Sequence, residues 1–286
     1  MQAAAATPTG SRLLTGKHQG HVMATLFYEP STRTRLSFES AAQRLGLGLI
    51  STENAREFSS AAKGETLEDS IRVIDGYADV IVLRHHETGA ASRAAAVSRV
   101  PIINAGDGKG EHPTQALLDV YTVLKELSRL DNLTIVAGGD LAHGRTVRSF
   151  VQLMSLYAGN KFCFVSTPEL KIGDDIKSFL KQKRIEFRET DNLLDGCQEA
   201  DVIYWTRLQK ERLENKTLAS NFVIDKAVMK TLPKRAIIMH PLPRVGEIAA
   251  AVDRDPRAAY FRQAENGLYM RMVLIDQILS NKSLTR

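Results

Sequence analysis

MATLFYEPSTRTRLSFESAAQRL, residues 23–45, decides how the rest of the chain is read. Met23–Phe27 is an apolar run of strand length. Pro30 and Ser31 then open a helix that carries Leu36, Phe38, Ala41 and Leu45 on its apolar side. The alternation recurs. DVIVL (79–83) and PIIN (101–104) are further short apolar runs, and Ala90–Arg99 between them is helical in composition. Pro113 suits a first helical turn, and Leu117, Leu118, Tyr121, Leu124 and Leu127 follow at helical spacing. A second series runs LTIVA (133–137), a helix over 144–157, KFCFV (161–165), a helix over 174–182, DVIYW (201–205) and AIIM (236–239). A last helix over about 265–280 carries Leu268, Met272, Ile275 and Leu279. Alternating βα units imply parallel sheets covered on both faces. There are units enough for two such sheets, with a joint near 126–132 (ELSRLDN). The predicted class is α/β, with two doubly wound parallel-sheet domains.

Composition narrows the function. Of 286 residues, 43% are hydrophobic and 25% charged, which excludes a mainly disordered or collagen-like chain. No apolar run approaches the ~18 residues of a membrane span. Two cysteines, Cys163 and Cys197, fit a reducing compartment and form no metal-ligand pattern. Lys and Arg number 38 against 33 Asp and Glu, a net charge of +5. Such a balance fits a solvated surface, a nucleic-acid surface or a pocket for an anionic metabolite. Residues 23–286 hold no Lys/Arg block long enough for a nucleic-acid arm, and arginines at the ends of apolar strands favour the pocket. The first 22 residues are rich in Ala, Thr and Gly and lack acidic residues. They fit the end of a transit peptide, a vector-derived addition or a shortened N-terminus, with residues 1–12 expected to be poorly ordered.

Ligands of open α/β sheets bind beyond the carboxyl ends of the strands. There the sequence places Ser31, Thr32, Arg33, Thr34 and Arg35, then Arg84, then His112 and Gln115. Next come His143, Arg145 and Arg148, then Thr206, Arg207 and Gln209, and last His240, Pro241, Leu242, Pro243 and Arg244. Ser31–Thr34 is the most informative of these. Backbone N–H groups at a helix start, three hydroxyls and the Arg33 guanidinium make a cradle for a phosphate dianion. Simple N-capping is the competing explanation for the hydroxyls, but two arginines in a first turn oppose the helix dipole unless an anion binds there. His112 before a Pro-initiated helix also fits a structural role. HPLP fits either a rigid turn or a set of free carbonyl acceptors. His85–His86 reads as a solvated pair, and GGDLAHGR is weak as a dinucleotide motif.

With FYEPSTRTRLSFE, KGETLEDSIR, INAGDGKGEHPTQALLD, GDLAHGRTVRS, TRLQKERL, MHPLPRVGEI and DPRAAYFRQAENGLYMRM laid out, the chain from Met23 on resembles the aspartate/ornithine carbamoyltransferase superfamily. STRTR with HPTQ marks the superfamily, and TRLQKER with HPLPR points to its aspartate branch. The ornithine branch has an HCLP-type turn and an SMG-type motif instead. NAREFSSAAKGETLEDS (54–70) is most similar to plant and some bacterial versions.

The resemblance implies transfer of the carbamoyl group of carbamoyl phosphate to the α-amine of L-aspartate, an early step of pyrimidine biosynthesis. It places the active site in the cleft between the two domains and requires no cofactor and no metal. Residues 1–127 would bind carbamoyl phosphate, 128–264 would bind aspartate, and 265–286 would return as a helix to the first domain. Ser31, Thr32, Arg33, Thr34 and Arg84 would hold the phosphate, with Arg33, Thr34, Arg84 and His112 the catalytic group. Thr34, Arg84 and His112 would stabilise the carbonyl oxygen. Gln115 and the carbonyls of Pro241 and Leu242 would accept from the carbamoyl NH2. Lys63, Arg145, Arg207, Gln209 and Leu242 would bind aspartate. Ser59 and Lys63 would come from the neighbouring subunit of a homotrimer. No nucleic-acid or membrane partner is implied, a regulatory partner is left open, and the location is cytoplasmic with plastid stroma as the alternative. Members normally carry a longer N-terminal region with a helix ahead of the first strand, so the C-terminal helix is expected to be under-covered here. Leu213–Asn221 is short for a loop that closes over aspartate.

Overall fold

The computed structural model describes residues 8–58, 60–108, 112–207 and 222–282. The chain divides into two compact units, Met1–Thr114 with Glu265–Arg286 and Gln115–Ala264. The changeover falls within a helix that runs on to Leu127, the end of the first domain expected from the sequence.

The first unit is built on a parallel sheet of four strands: β1 (Val22–Phe27), β2 (Gly48–Glu53), β3 (Val80–His85) and β4 (Ile102–Asp107), in the order β2-β1-β3-β4. Its helices are α1 (Pro8–Arg12), α2 (Thr32–Leu45), α3 (Ala55–Phe58), α4 (Leu67–Ile74) and α5 (Ala90–Val97). The central strands β1 and β3 are buried on both faces, which is why they read as unbroken apolar runs. Ala24, Leu26, Ile81 and Leu83 join Leu67, Ile71, Ala90 and Ala94 in one core, and the alternate residues Met23, Phe27, Val80 and Val82 are buried as well.

Within α2, Phe38, Ala41 and Leu45 are buried as expected, but Leu36 is 52% exposed. Four residues from Thr32 and three from Arg33, it lies on their face of the helix and away from Phe38. Residues 8–12 form α1, against the expectation that they would be poorly ordered. Ser11 and Leu14 are buried, Gly16 N–H donates to Arg44 O (3.0 Å), and His18 N–H donates to Leu45 O (2.9 Å). Lys17 and His18 also reach Asp276 of the C-terminal helix at 2.6 and 2.7 Å. On that helix Met272, Ile275 and Leu279 are all buried, so the expected under-covering is not seen.

The second unit holds five parallel strands: β5 (Thr134–Gly138), β6 (Lys161–Val165), β7 (Phe187–Thr190), β8 (Val202–Trp205) and β9 (Ile237–Met239), in the order β7-β6-β5-β8-β9. Its helices are α6 (Pro113–Leu127, begun in the first unit), α7 (Arg145–Met154), α8 (Asp174–Gln182), α9 (Leu193–Cys197), α10 (Lys226–Thr231) and the start of α11 (Tyr260–Lys282). The two-residue period of a strand divides its side chains between two cores. Val136, Cys163, Ile203, Trp205 and Ile238 enter one. Ile135, Ala137, Phe162, Phe164, Tyr204 and Met239 enter the other.

In each sheet the order reverses at one place, between β1 and β3 and between β5 and β8. These reversals are where an open α/β sheet leaves a crevice at its carboxyl edge.

Candidate active site

Ser31–Thr34 lie beyond the carboxyl end of β1, and Arg84 is the penultimate residue of β3, inside the strand and not past it as the sequence suggests. Ser31 is the N-cap of α2, with extended backbone (φ −158°), yet its side chain makes no capping hydrogen bond. Simple capping therefore does not explain the hydroxyl. Thr32 and Arg33 are exposed and Thr34 is buried. The first turn of α2 contains no acidic residue. Partial burial lowers the pKa of the Arg33 guanidinium from its ordinary value, and no carboxylate bridges it among the described residues. Arg35 is different. It donates to Glu39 at 3.1 Å and to Glu53 at 2.8 Å, tying α2 to β2. Only Arg33 is left to face an anion at the helix start.

Arg84 is 7% exposed. Its Nη2 donates to Glu29 Oε1 (2.7 Å) and its Nη1 to the Ala105 carbonyl (3.2 Å). The Nε–H is buried with no partner among the described residues. A buried guanidinium with one donor unspent is costly unless a ligand accepts from it. His112 is buried immediately ahead of α6, as a fixed imidazole near a reacting group would be. His85 is not the solvated residue the sequence suggests. β3 continues through it, and its ring is buried against Tyr28 (4.8 Å) and stacked on His86 (4.3 Å). Desolvation lowers its pKa. Lys63 is exposed in a 3-10 turn, Ser60–Lys63, and Ser59 lies outside the described residues.

The second unit repeats the arrangement at β5 and β8. Gly138 and Gly139 allow β5 to close against β8. A Cβ on Gly138 would lie 2.0 Å from the Trp205 ring, and one on Gly139 (φ +98°) 2.2 Å from the Thr206 carbonyl. The tight passage leads to Asp140, which accepts from His143 Nδ1 (3.0 Å) and from its backbone N–H (3.0 Å), and so into Arg145 at the start of α7. Arg207 is exposed just past β8. Gln209 and the segment 213–221 lie outside the described residues. Arg148 is taken by Asp175, and Arg244 by Asp253 over the face of Tyr260 (5.1 Å), so both strand-end arginines are structural.

Two stretches of the second unit present acceptors. Gln115 donates its Nε2–H to Asp119 Oδ1 (2.8 Å), which turns its Oε1 away from that carboxylate. In the turn after β9, Pro241 has no N–H, and Leu242 (φ +56°) donates its own to His240 Nδ1 (2.8 Å). A left-handed non-glycine residue costs about 1 kcal/mol or more, so the turn is held by its surroundings. His240 Nε2 meets Glu247 Oε1 at 2.8 Å. Burial would raise the pKa of Glu247, but the hydrogen bonds from His240 and the backbone hold it below the ordinary glutamate value. The sequence singles out Gln115 but not Asp119 or its other partners Tyr204 and Gln263, because no local motif joins them.

Comparison with known proteins agrees with this geometry. Residues 2–125 match the carbamoyl-P binding domain of the aspartate/ornithine carbamoyltransferases, and residues 131–278 match their Asp/Orn binding domain. A chloroplastic aspartate carbamoyltransferase of Oryza sativa subsp. japonica is 57% identical over 266 residues, 91% of this chain and 73% of the relative. The catalytic subunit of M. jannaschii aspartate transcarbamoylase superposes with a TM-score of 0.93 at 44% identity, covering 99% of this chain and 93% of that one. The Trypanosoma cruzi aspartate transcarbamoylase, solved with N-(phosphonacetyl)-L-aspartic acid, gives 0.88 at 39% identity over 96% of this chain and 89% of that one. With both halves matched, the chain belongs to the aspartate/ornithine carbamoyltransferase family.

Proposed function

We infer that this chain is an aspartate carbamoyltransferase, converting carbamoyl phosphate and L-aspartate to N-carbamoyl-L-aspartate and phosphate. The α-amine attacks the carbamoyl carbon, a tetrahedral intermediate forms, and phosphate leaves with the electron pair of the C–O bond and accepts the amine's proton. No protein nucleophile is needed. Carbamoyl phosphate binds to the first unit, its phosphate on Ser31, Thr32, Arg33, Thr34 and Arg84. Thr34, Arg84 and His112 donate to the carbonyl oxygen as it gains charge, and one such donor is typically worth ~2.7–4 kcal/mol. Gln115, Pro241 and Leu242 accept from the NH2 group. Aspartate binds through Lys63, Arg145, Arg207, Gln209 and Leu242, the cations offsetting the repulsion between two anionic substrates.

The observation that carries this reading is the unspent Nε–H of buried Arg84 beside a helix start that has hydroxyls and Arg33 but no carboxylate. Ser59 and Lys63 act in the neighbouring site of a homotrimer. The rice relative and those from pea and Arabidopsis are named chloroplastic, which favours plastid stroma over cytoplasm. Among the described residues no helix is long and apolar enough to cross a membrane.

A steady-state assay tests the activity, with aspartate and ornithine offered separately and N-(phosphonacetyl)-L-aspartate as inhibitor. Turnover of aspartate alone, blocked by the bisubstrate analogue, is the expected result, and turnover of ornithine instead overturns it. Mixing inactive Lys63→Ala and Arg33→Ala subunits tests the shared site. Regained activity in a hybrid trimer supports it, and none regained in a mixed oligomer refutes it.

A further inference from the structure

Asp119 is fully buried, and Gln115, Gln263 and Tyr204, all within the second unit, donate to it. Oδ1 accepts from Gln115 Nε2 (2.8 Å) and from Gln263 Nε2 (2.7 Å), and Oδ2 accepts from the Tyr204 hydroxyl (2.8 Å). A carboxylate has no N–H to give, so each amide must turn its NH2 toward it and its carbonyl away. For Gln263 the far side is the His240 backbone, whose N–H donates to Oε1 at 2.8 Å. His240 Nδ1 then accepts the Leu242 N–H (2.8 Å), which fixes that nitrogen as the bare one and puts the proton on Nε2, facing Glu247 Oε1. Glu247 Oε2 accepts the Val245 N–H (2.9 Å), closing the turn. The chain of bonds consumes every backbone N–H named along it, and what remains for a ligand is carbonyl oxygen.

We propose that Asp119 is a positioning residue that makes the subsite formed by Gln115, Pro241 and Leu242 acceptor-only, so that it selects an NH2-bearing acyl phosphate over its methyl analogue. The inference rests on the reading of those three residues as carbamoyl NH2 acceptors. Asp119 sets the Gln115 amide directly, one helical turn away, and the HPLP turn through Gln263 and His240. The network joins residues up to 144 positions apart in sequence. An apolar side chain of the same shape at 119 would remove the acceptor shared by both amides and free them to reverse, whereas an asparagine could keep its carbonyl toward both glutamines and give its NH2 to the Tyr204 hydroxyl, which can also accept.

The test compares carbamoyl phosphate as substrate with acetyl phosphate, which carries CH3 in place of NH2, as competitive inhibitor. In Asp119→Leu the KM for carbamoyl phosphate should rise roughly 10- to 100-fold, the loss expected when a polar group faces the wrong partner. The Ki of acetyl phosphate should move less than about threefold, since that ligand spends no hydrogen bond there. Gln263→Met, which severs the same chain at the buried glutamine, should show the same selective loss and serves if Asp119→Leu does not fold. A parallel rise in both constants, or an unchanged KM, in either folded variant overturns the inference. Gln115→Ala separates the two levels. An unchanged KM there removes the underlying reading and the inference with it, whereas a raised KM beside unchanged Asp119→Leu and Gln263→Met removes the inference alone.

Discussion

Replacing Arg33 by alanine should move stability and activity in opposite directions. The guanidinium sits in the first turn of α2, where the helix dipole is positive, and no acidic residue shares that turn. Its pKa is lowered by burial, so its charge is tolerated there rather than favoured. A cation in this position costs about 0.3–1 kcal/mol. For a protein of this size about 1 kcal/mol corresponds to roughly 2–4 °C, so the ligand-free variant should melt about 1–3 °C higher than the parent. Against that stands the loss of a charge-assisted hydrogen bond to phosphate, worth about 1.5–3 kcal/mol, or roughly 10- to 150-fold in kcat/KM for carbamoyl phosphate. Calorimetric melting with and without inorganic phosphate, beside initial rates, reads both quantities. Phosphate should stabilise the parent more than the variant. A ligand-free variant that melts lower, or an unaltered kcat/KM, would show that Arg33 belongs to the fold and not to the substrate.

Arg84→Met should lower kcat by about 100- to 1,000-fold while Glu29, half-exposed, rehydrates, and single-turnover rates at saturating substrate would read this. Asp276 gives a pH signature. Burial would raise its pKa, but the hydrogen bonds from Lys17 and His18 hold it below the ordinary aspartate value. A depressed carboxylate contributes stability above the unfolded pKa near 3.9 and loses it as pH falls through the folded value. Asp276→Asn should therefore be less stable than the parent at neutral pH, with the gap closing from about pH 4 downward in urea titrations, and a gap constant across that range refutes the assignment. Gly138→Ala forces a methyl to within 2.0 Å of the Trp205 ring and should cost about 1–3 kcal/mol or more in chemical denaturation, because neither strand can retreat without breaking the β5–β8 ladder.

How far the sequence could be read depends on burial. Strands β1, β3, β5, β6 and β8 lie inside their sheets and are apolar on both faces, so each stands out as an unbroken run. Strands β2 (GLISTE) and β7 (FRET) are sheet edges, half-exposed and without an apolar run, and nothing in their composition marks them as strands. Helix α8 was legible to the residue because Gly173 precedes it and acidic residues open it. Leu36 misled because apolar spacing alone does not say which face of α2 meets the sheet. His85 misled because β3 continues two residues past its apolar run and carries the ring inside. At the site, most candidate donors could be found by looking just past the carboxyl end of each apolar run, although Arg84 lies within β3. Their support could not: Asp119 meets Tyr204 and Gln263 across 85 and 144 residues, separations that no local motif spans.

The strand-end groups of the first unit are donors, whereas Gln115 and the HPLP turn of the second present acceptors beside its donors Arg145 and Arg207. In the first, Ser31, Thr32, Thr34, Arg33 and Arg84 offer O–H and N–H groups, and the buried Arg84 guanidinium keeps its Nε–H unspent. In the second, proline removes one N–H of the HPLP turn, His240 takes another, and Asp119 points the Gln115 carbonyl outward. A carbamoyl phosphate molecule carries the complementary division, oxygen acceptors on the phosphate and carbonyl and a donor pair on nitrogen. A site of uniformly basic groups would hold the phosphate equally well but would leave the NH2 hydrogens facing other donors, at about 1–3 kcal/mol for each mispaired group. Positive charge therefore accounts for holding the anion. Recognition of the transferable NH2 group is the part that the proposed role of Asp119 would supply, through the two amides it orients.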